Sequence, residues 1–392
     1  MLSGTHRNSL QEQVIYGRPA AEVVAGLAKS FGASRLLITT TASLAGAGGL
    51  AESLAESLAK ALGPLCVGMF SSISAHSPRE GVIAGAAEAR RVAADLLVAV
   101  GGGSVIDATK VMQLALWAGV DSAEDLGRLR AGPGADRIDA SMLPVGVRMI
   151  AVPTTLSAAE FTPFAGVTDA GRHAKEGYAH RLLAPRAVVL DPAMTRSTPP
   201  QLWFSTGMKA VDHAVEQLCA RLRAPYADAL AEAGLKTLAA GLAATCERPE
   251  DLDARLECQI GMWLAMSGAG AGQGLGASHA IGHTLGGTYG VPHGLTSCVI
   301  LPAVVAWNAG VQPERQALVA SLLGRPDLPA AEAIKALAHS LGLPTTLAAV
   351  GISPDQFQAI AEHTMTDRGV RANPRPITGP GDVVEILRLA AA

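Results

Sequence analysis

Asp95-Leu-Leu-Val-Ala-Val-Gly-Gly-Gly-Ser-Val-Ile-Asp-Ala-Thr-Lys110 decides the fold. Leu96 to Val100 is an apolar run short enough for a buried strand. Gly101, Gly102 and Gly103 end it, and with Ser104 they form a turn. A helix is predicted to begin at Val105. Glycines let the backbone approach a ligand closely, and a helix N-terminus presents free N–H groups to a phosphate. Asp107 is expected in the first helical turn, where a carboxylate is favoured. Lys110 lies one turn on and can pair with it. The turn is neither GxGxxG nor GxxxxGK[ST]. Alone it fits a phosphate site or an ordinary strand-to-helix turn.

The neighbouring segments alternate in the same way. Arg35–Thr40, Leu65–Phe70, Arg148–Val152 and Ala187–Leu190 read as strands. Ala47–Leu62, closed by Gly63-Pro64, and Pro78–Ala93 read as helices. Strand and helix at this spacing predict an α/β domain with a doubly wound parallel sheet. Val152-Pro-Thr154-Thr155-Leu-Ser157 places three hydroxyls at another strand's carboxyl end, where such sheets bind ligands. Two phosphate-suited turns favour a dinucleotide site over a helix cap. After Asp191-Pro192 strand-like runs nearly vanish. Ser205–Ala220, Ala227–Cys246, Ala254–Met266 and Ala330–Leu341 read as helices. Residues 1–191 are therefore expected to form the dinucleotide-binding domain and residues 192–392 an all-α domain.

The 392 residues are 49% hydrophobic with a net charge of -3. That suits two buried cores and excludes a basic nucleic-acid surface or a polybasic membrane patch. Cys66, Cys219, Cys246, Cys258 and Cys298 form no CxxC pair, so reduced thiols in a cytoplasmic protein are expected. Met1 to Gln13 is polar and shows no apolar signal core. Arginine outnumbers lysine 24 to 7. A chain that favours Arg keeps Lys where a compact ammonium is useful.

Histidines cluster in the second half. Lys209 and His213 are four apart and share a helix face, and His279 and His283 repeat the spacing. His293 follows in Gly290-Val-Pro-His-Gly294. Small residues (Gly274, Gly276, Gly282, Gly286, Gly287) surround the last three. One i, i+4 pair is commonly a coincidence; three segments together point to a ligand site. His76 precedes Ser77-Pro78 and is read as an ordinary loop residue.

Gly101 to Lys110, Val152-Pro-Thr-Thr155 with Glu160, Lys175, Asp191-Pro192, Thr206-Gly-Met-Lys-Ala-Val-Asp-His-Ala-Val-Glu216, His279-Ala-Ile-Gly-His283, Pro292-His-Gly294 and Asn373-Pro-Arg-Pro376 occur in one order along nearly the whole chain. In these the sequence resembles the group III, iron-dependent alcohol dehydrogenases. Ala159-Glu-Phe-Thr-Pro163 and His283-Thr-Leu-Gly-Gly-Thr-Tyr289 resemble the maleylacetate reductases among them. Those enzymes reduce a carbon–carbon double bond of an oxo-dicarboxylate in aromatic breakdown, without a required metal.

The resemblance implies an NAD- or NADP-dependent homodimer acting on a small acidic substrate, with the cofactor across the domain cleft. By position the cofactor residues are Thr41, Gly101, Gly102, Gly103, Ser104, Asp107, Thr154, Thr155, Ser157 and Lys175. The family's three histidine metal ligands match His213, His279 and His293. Its aspartate ligand is replaced by Lys209. An ammonium only donates and is already positive, so no metal is expected. Lys209 and the three histidines would hold a developing anion, and His283, or one of its neighbours, would supply a proton. The competing reading turns Lys209 outward. Thr41 stands where strictly NAD-using members place Asp, which leaves NADPH open. Other readings are a metal-dependent alcohol dehydrogenase with water in place of the aspartate, a dehydroquinate synthase-like lyase, or a non-enzymatic nucleotide-binding protein.

Overall fold

The structure, a computed structural model, describes residues 11–46, 53–75, 77–132, 138–169, 171, 174–271 and 274–391. His76 and the start of the expected Ala47–Leu62 helix lie outside the described residues. Two compact units are present, one of Ser9–Ser197, the other containing Thr198–Ala392. The division falls six residues beyond Asp191. The Asp191 side chain accepts from Ala20 N and Ala193 N, so Pro192–Thr195 stays with the first unit.

That unit is built on strands β1 (Gln13–Tyr16), β2 (Leu36–Thr39), β3 (Cys66–Phe70), β4 (Leu96–Gly101), β5 (Arg148–Pro153), β6 (Phe164–Asp169), β7 (Ala174–Ala179) and β8 (Ala187–Leu190). Helices α1 (Ala20–Phe31), α2 (Leu54–Leu62), α3 (Arg79–Arg91), α4 (Gly103–Ala118) and the single turn α5 (Ala123–Leu126) connect them. Six strands form one parallel sheet in the order β1-β8-β5-β4-β2-β3. Leu36, Ile38, Leu96, Val98, Val100, Ile150 and Val152 pack with α1 and α2. The alternate residues, Leu37, Leu97, Ala99 and Ala151, are equally buried, and α4 lies along β4 and β5. Burial on both faces explains the continuous apolar runs. The order of connection reverses between β2 and β4, so a topological switch point lies at their carboxyl ends.

β1 and the antiparallel β6–β7 hairpin were not expected. β1 is four residues at the sheet edge, too short for a pattern. The hairpin alternates exposed and buried residues along β6, but Gly166 and Gly171 gave it a loop-like composition. α4 begins at Gly103, two residues earlier than predicted. Asp107 therefore sits beyond its first turn, and instead of facing the helix end its carboxylate accepts from Gly166 N at 3.0 Å. Lys110 is 3.9 Å from Asp107 and donates to Ala159 O, Thr162 Oγ1 and Phe164 O. Arg79, on α3, bridges Asp169 and Glu176 of the hairpin. α4 and α3 thus fix the hairpin through buried charges.

The second unit contains α6 (Pro200–Leu218), α7 (Pro225–Glu247), α8 (Leu252–Ala271), α9 (Ala277–Tyr289), α10 (His293–Trp307), α11 (Pro313–Leu322), α12 (Ala330–Ser340), α13 (Phe357–Thr364) and α14 (Pro380–Ala391). Proline opens α6, α7 and α11, where its missing N–H costs nothing. α7 and α8 approach until backbones touch. A Cβ on Gly234 would meet Ala265 N at 2.6 Å, and one on Gly261 would meet Leu238 N at 2.8 Å. No helix among the described residues is long and apolar enough to cross a membrane.

Glu160 is fully buried beside Lys110, and neither carboxyl oxygen has a hydrogen-bond partner. Burial pushes its carboxyl up to about 7 and the Lys110 ammonium down to about 8. The folded state thus favours neutral Glu160, and the wild type loses stability as pH rises from about 4.5 to about 7. Glu160→Gln removes that titration. Its stability relative to wild type should rise by up to about 3 kcal/mol across the window and then level off, measured by urea unfolding. A difference that does not vary with pH contradicts this.

Candidate active site

The glycine turn sits at the switch point. Gly101 ends β4 at φ +155, with Val105 so close that a Cβ would lie 2.6 Å from its Cγ2. Gly102 is the N-cap of α4, and a Cβ there would lie 3.1 Å from Thr155 Oγ1. On Gly103 it would lie 3.0 Å from Ser157 Oγ. Both hydroxyl oxygens are buried without a hydrogen-bond partner. Buried hydroxyls are normally satisfied, so these two mark a place for an acceptor or donor from outside the chain. Thr154 is buried and its N–H bonds Gly101 O, which ties the β5 turn to the β4 turn. Ser104 O accepts from Ser77 Oγ at 2.6 Å. Thr41 follows β2 at the other side of the switch point, its Oγ1 3.0 Å from Ser43 Oγ. Lys175 stands apart from the turns, on β7, where its stem covers Gly166. Asp107 also faces the hairpin rather than the glycine turn.

In the helical unit α6 is the central element, buried from Trp203 to Leu218. Its polar residues cannot reach water and must find partners inside. Lys209, Asp212, His213 and Glu216, at helical spacing, share one face. Lys209 is 4% exposed, so it does not turn outward. Its Nζ lies 4.0 Å from Asp212 Oδ2. Asp212 Oδ2 accepts from Ser278 Oγ at 2.9 Å and Ser297 Oγ at 2.6 Å. Glu216 accepts from Gly276 N at 2.7 Å and Ser278 N at 2.8 Å, the open end of α9. A carboxylate is favoured there by both the unpaired N–H groups and the helix dipole.

Glu216 Oε2 also lies 2.7 Å from His279 Nδ1. With two backbone donors already on the carboxylate, Nδ1–H donates, and His279 Nε2 is left as a buried lone pair without a hydrogen-bond partner. His213 stacks on His279 at 5.0 Å between centroids. Burial first, and then neighbouring positive charge including that of Lys209, holds both imidazoles well below the usual histidine range. Burial pushes the Asp212 and Glu216 carboxyls up, while Lys209 pulls both down. His283 lies one turn along α9, and His293 opens α10 and stacks on it at 5.7 Å with planes 7° apart. His283 is half exposed, and its Nδ1 is 2.8 Å from Asp367 Oδ2.

The structure therefore gathers Lys209, His213, His279, His283 and His293, as expected. Sequence reading missed Asp212, Glu216, Ser278, Ser297 and Asp367. Asp212 and Glu216 were visible in principle, because they interleave with Lys209 and His213 at three- and four-residue spacing. Asp367 lies 84 residues from its partner, and no spacing signals it. Asn373 is a structural clasp: it exchanges amide hydrogen bonds with Asn308 and donates to Arg375 O.

The iron-containing alcohol dehydrogenase family matches residues 11–192, and the C-terminal region of the Fe-containing alcohol dehydrogenase family matches residues 203–391. The chain is 33% identical to a maleylacetate reductase of Sphingobium indicum, over 97% of this chain and 96% of that one. It is 34% identical to Dehydrogenase FUM7 of Gibberella moniliformis, over 98% and 97%. The crystal structure of maleylacetate reductase from Rhizobium sp. strain MTP-10005 superposes with a TM-score of 0.82 at 28% identity, covering 100% of this chain and 99% of that one.

Glu216→Ala would leave Gly276 N, Ser278 N and His279 Nδ1 without their acceptor. Losing one partner of a buried charged network costs about 3–5 kcal/mol. Urea unfolding should show a loss of that size. A loss below about 1 kcal/mol would mean that Glu216 does not hold the end of α9.

Proposed function

Because the chain belongs to the iron-containing alcohol dehydrogenase family, we propose that this oxidoreductase is a metal-independent, NADH- or NADPH-dependent reductase of a small oxo-acid or enone acid, of the maleylacetate reductase kind. The acidic substrate follows the resemblance to the maleylacetate reductases, and a homodimer is part of the same proposal. The observation that carries metal independence is Lys209, a buried ammonium on the helix face it shares with His213. A divalent cation set among these side chains would meet it at close range. At about 4 Å and an effective dielectric of about 20, each pair of unit charges repels by about 4 kcal/mol. The donor set does not fit a metal ion.

Support for the cofactor comes from the turns. The unpartnered Thr155 and Ser157 hydroxyls, the N-terminus of α4 and the bare Cα atoms of Gly102 and Gly103 make a cradle suited to a pyrophosphate. The nicotinamide, when bound, supplies the hydride. Lys209 then provides positive charge for an anionic oxygen of the substrate. His279, its Nδ1–H committed to Glu216, offers an acceptor at Nε2. It thereby leaves the anion to Lys209. His283 donates the proton.

A second reading, a metal-dependent alcohol dehydrogenase, draws on one observation. Ligand atoms of Asp212, Glu216 and His279 lie within 4.8 Å of one another. Both Glu216 oxygens already accept from backbone N–H groups and Asp212 Oδ2 from two serines, which favours the first reading, while Asp212 Oδ1 has no hydrogen-bond partner.

Turnover of an oxo-dicarboxylate with NADH should survive EDTA treatment within about twofold. Loss of activity on chelation, restored by iron or zinc, supports the second reading. Gly102→Ala pushes a methyl against Thr155 and should weaken NADH binding at least about tenfold by calorimetry, about 1.4 kcal/mol. Unchanged affinity removes the turn from the cofactor site.

A further inference from the structure

Packing fixes His279 on every side, but the His283 side chain is 54% exposed. Its ring meets His293 in a parallel stack, His279 edge-on at 6.3 Å, and Asp367 through the 2.8 Å contact from Nδ1. Asp367 is itself held. Its Oδ1 accepts from Gly369 N at 2.7 Å, capping the short 3-10 helix Arg368–Ala372. A Cβ on Gly369 would lie 2.9 Å from Gly276 O, so that turn rests on the start of α9. The following Asn373 is locked to Asn308 at the end of α10. Arg375 lies over the Trp307 ring at 3.7 Å and donates to Trp307 O. The chain from Asp367 to Arg375 is thus referenced to both helices that carry the histidines.

We propose that Asp367 is the positioning residue for His283, accepting Nδ1–H so that Nε2 is the nitrogen left to exchange a proton with the substrate. This rests on the reading of His283 as proton donor. A neutral imidazole carries one proton, and the acceptor at one nitrogen decides which. With a carboxylate at Nδ1, the ring orientation and tautomer are set together, and an imidazolium formed there is stabilised. Asp367 acts through His283.

The test uses Asp367→Asn. Asparagine can still cap Gly369 through its oxygen. Its amide N–H₂ then faces His283 Nδ1 and favours the opposite tautomer. Nitrogen-15 histidine spectra of the whole protein should show the neutral His283 ring protonated on Nδ1 in the wild type and on Nε2 in the variant. His283→Asn assigns the signal. With the oxo-dicarboxylate as substrate, kcat should fall at least tenfold with KM within about threefold. In a His283→Asn background the Asp367 change should cost less than twofold. Asp367→Ser, which also caps Gly369 but is too short to reach His283, should reproduce the kcat loss if the asparagine variant fails to fold.

The proposal is overturned if both proteins show the same tautomer, or if Asp367→Asn lowers kcat equally with and without His283. If the tautomer switches while His283→Asn itself leaves kcat within threefold, the positioning stands and the assignment of His283 as proton donor falls.

Discussion

The acceptance of three donors by Glu216 sets the geometry of the site. α6 is buried along sixteen residues yet carries Lys209, Asp212, His213 and Glu216 on one face. Ionisable groups buried this deeply are costly unless they are paired or hydrogen-bonded. Glu216 meets this by closing the end of α9 and fixing the His279 tautomer in one contact set. Asp212 does the same for α9 and α10 through Ser278 and Ser297. Two carboxylates therefore bring three helices to one point. That network holds His279 directly; His213 stacks on His279, and His283 and His293 stack on each other.

In the α/β unit the limiting factor is space. The β4–α4 turn approaches the β5 turn so closely that a Cβ at Gly102 or Gly103 would lie 3.0 Å from Thr155 or Ser157, tighter than ordinary contact. Thr155 and Ser157 face that gap with hydroxyls the protein does not use. Lys110, fully buried, is spent on backbone oxygens near the β6–β7 hairpin, not on a phosphate. The same stretch of sequence thus supplies a ligand cradle from its glycines and a structural bolt from its lysine.

The parallel sheet and the helical second half were legible because strands buried on both faces are written as apolar runs, and long Ala/Leu helices carry their period openly. β2, β4, β5 and β8 fall within one or two residues of the runs that announced them. β1 and the hairpin were not legible: the first is four residues long, and the second mixes glycine with charged residues whose partners lie on α3 and α4. The histidine set was readable from helical spacing. Glu216 and Asp212 were present in the same motif, but their importance follows from burial, which sequence does not show. Asp367 was invisible, since its contact spans 84 residues. Lys209 is buried, on the helix face that its spacing from His213 gives it.

The central claim is that a buried ammonium on α6 takes the place of a metal ion. Calorimetric titration of zinc into the chelator-treated protein and into Lys209→Asp tests it most directly, because the substitution reverses the charge at that point and leaves the histidines in place. The account predicts that the aspartate variant binds about one equivalent at least about 100-fold more tightly than the wild type, roughly 2.7 kcal/mol. One equivalent bound by the wild type with the affinity of the variant would contradict it.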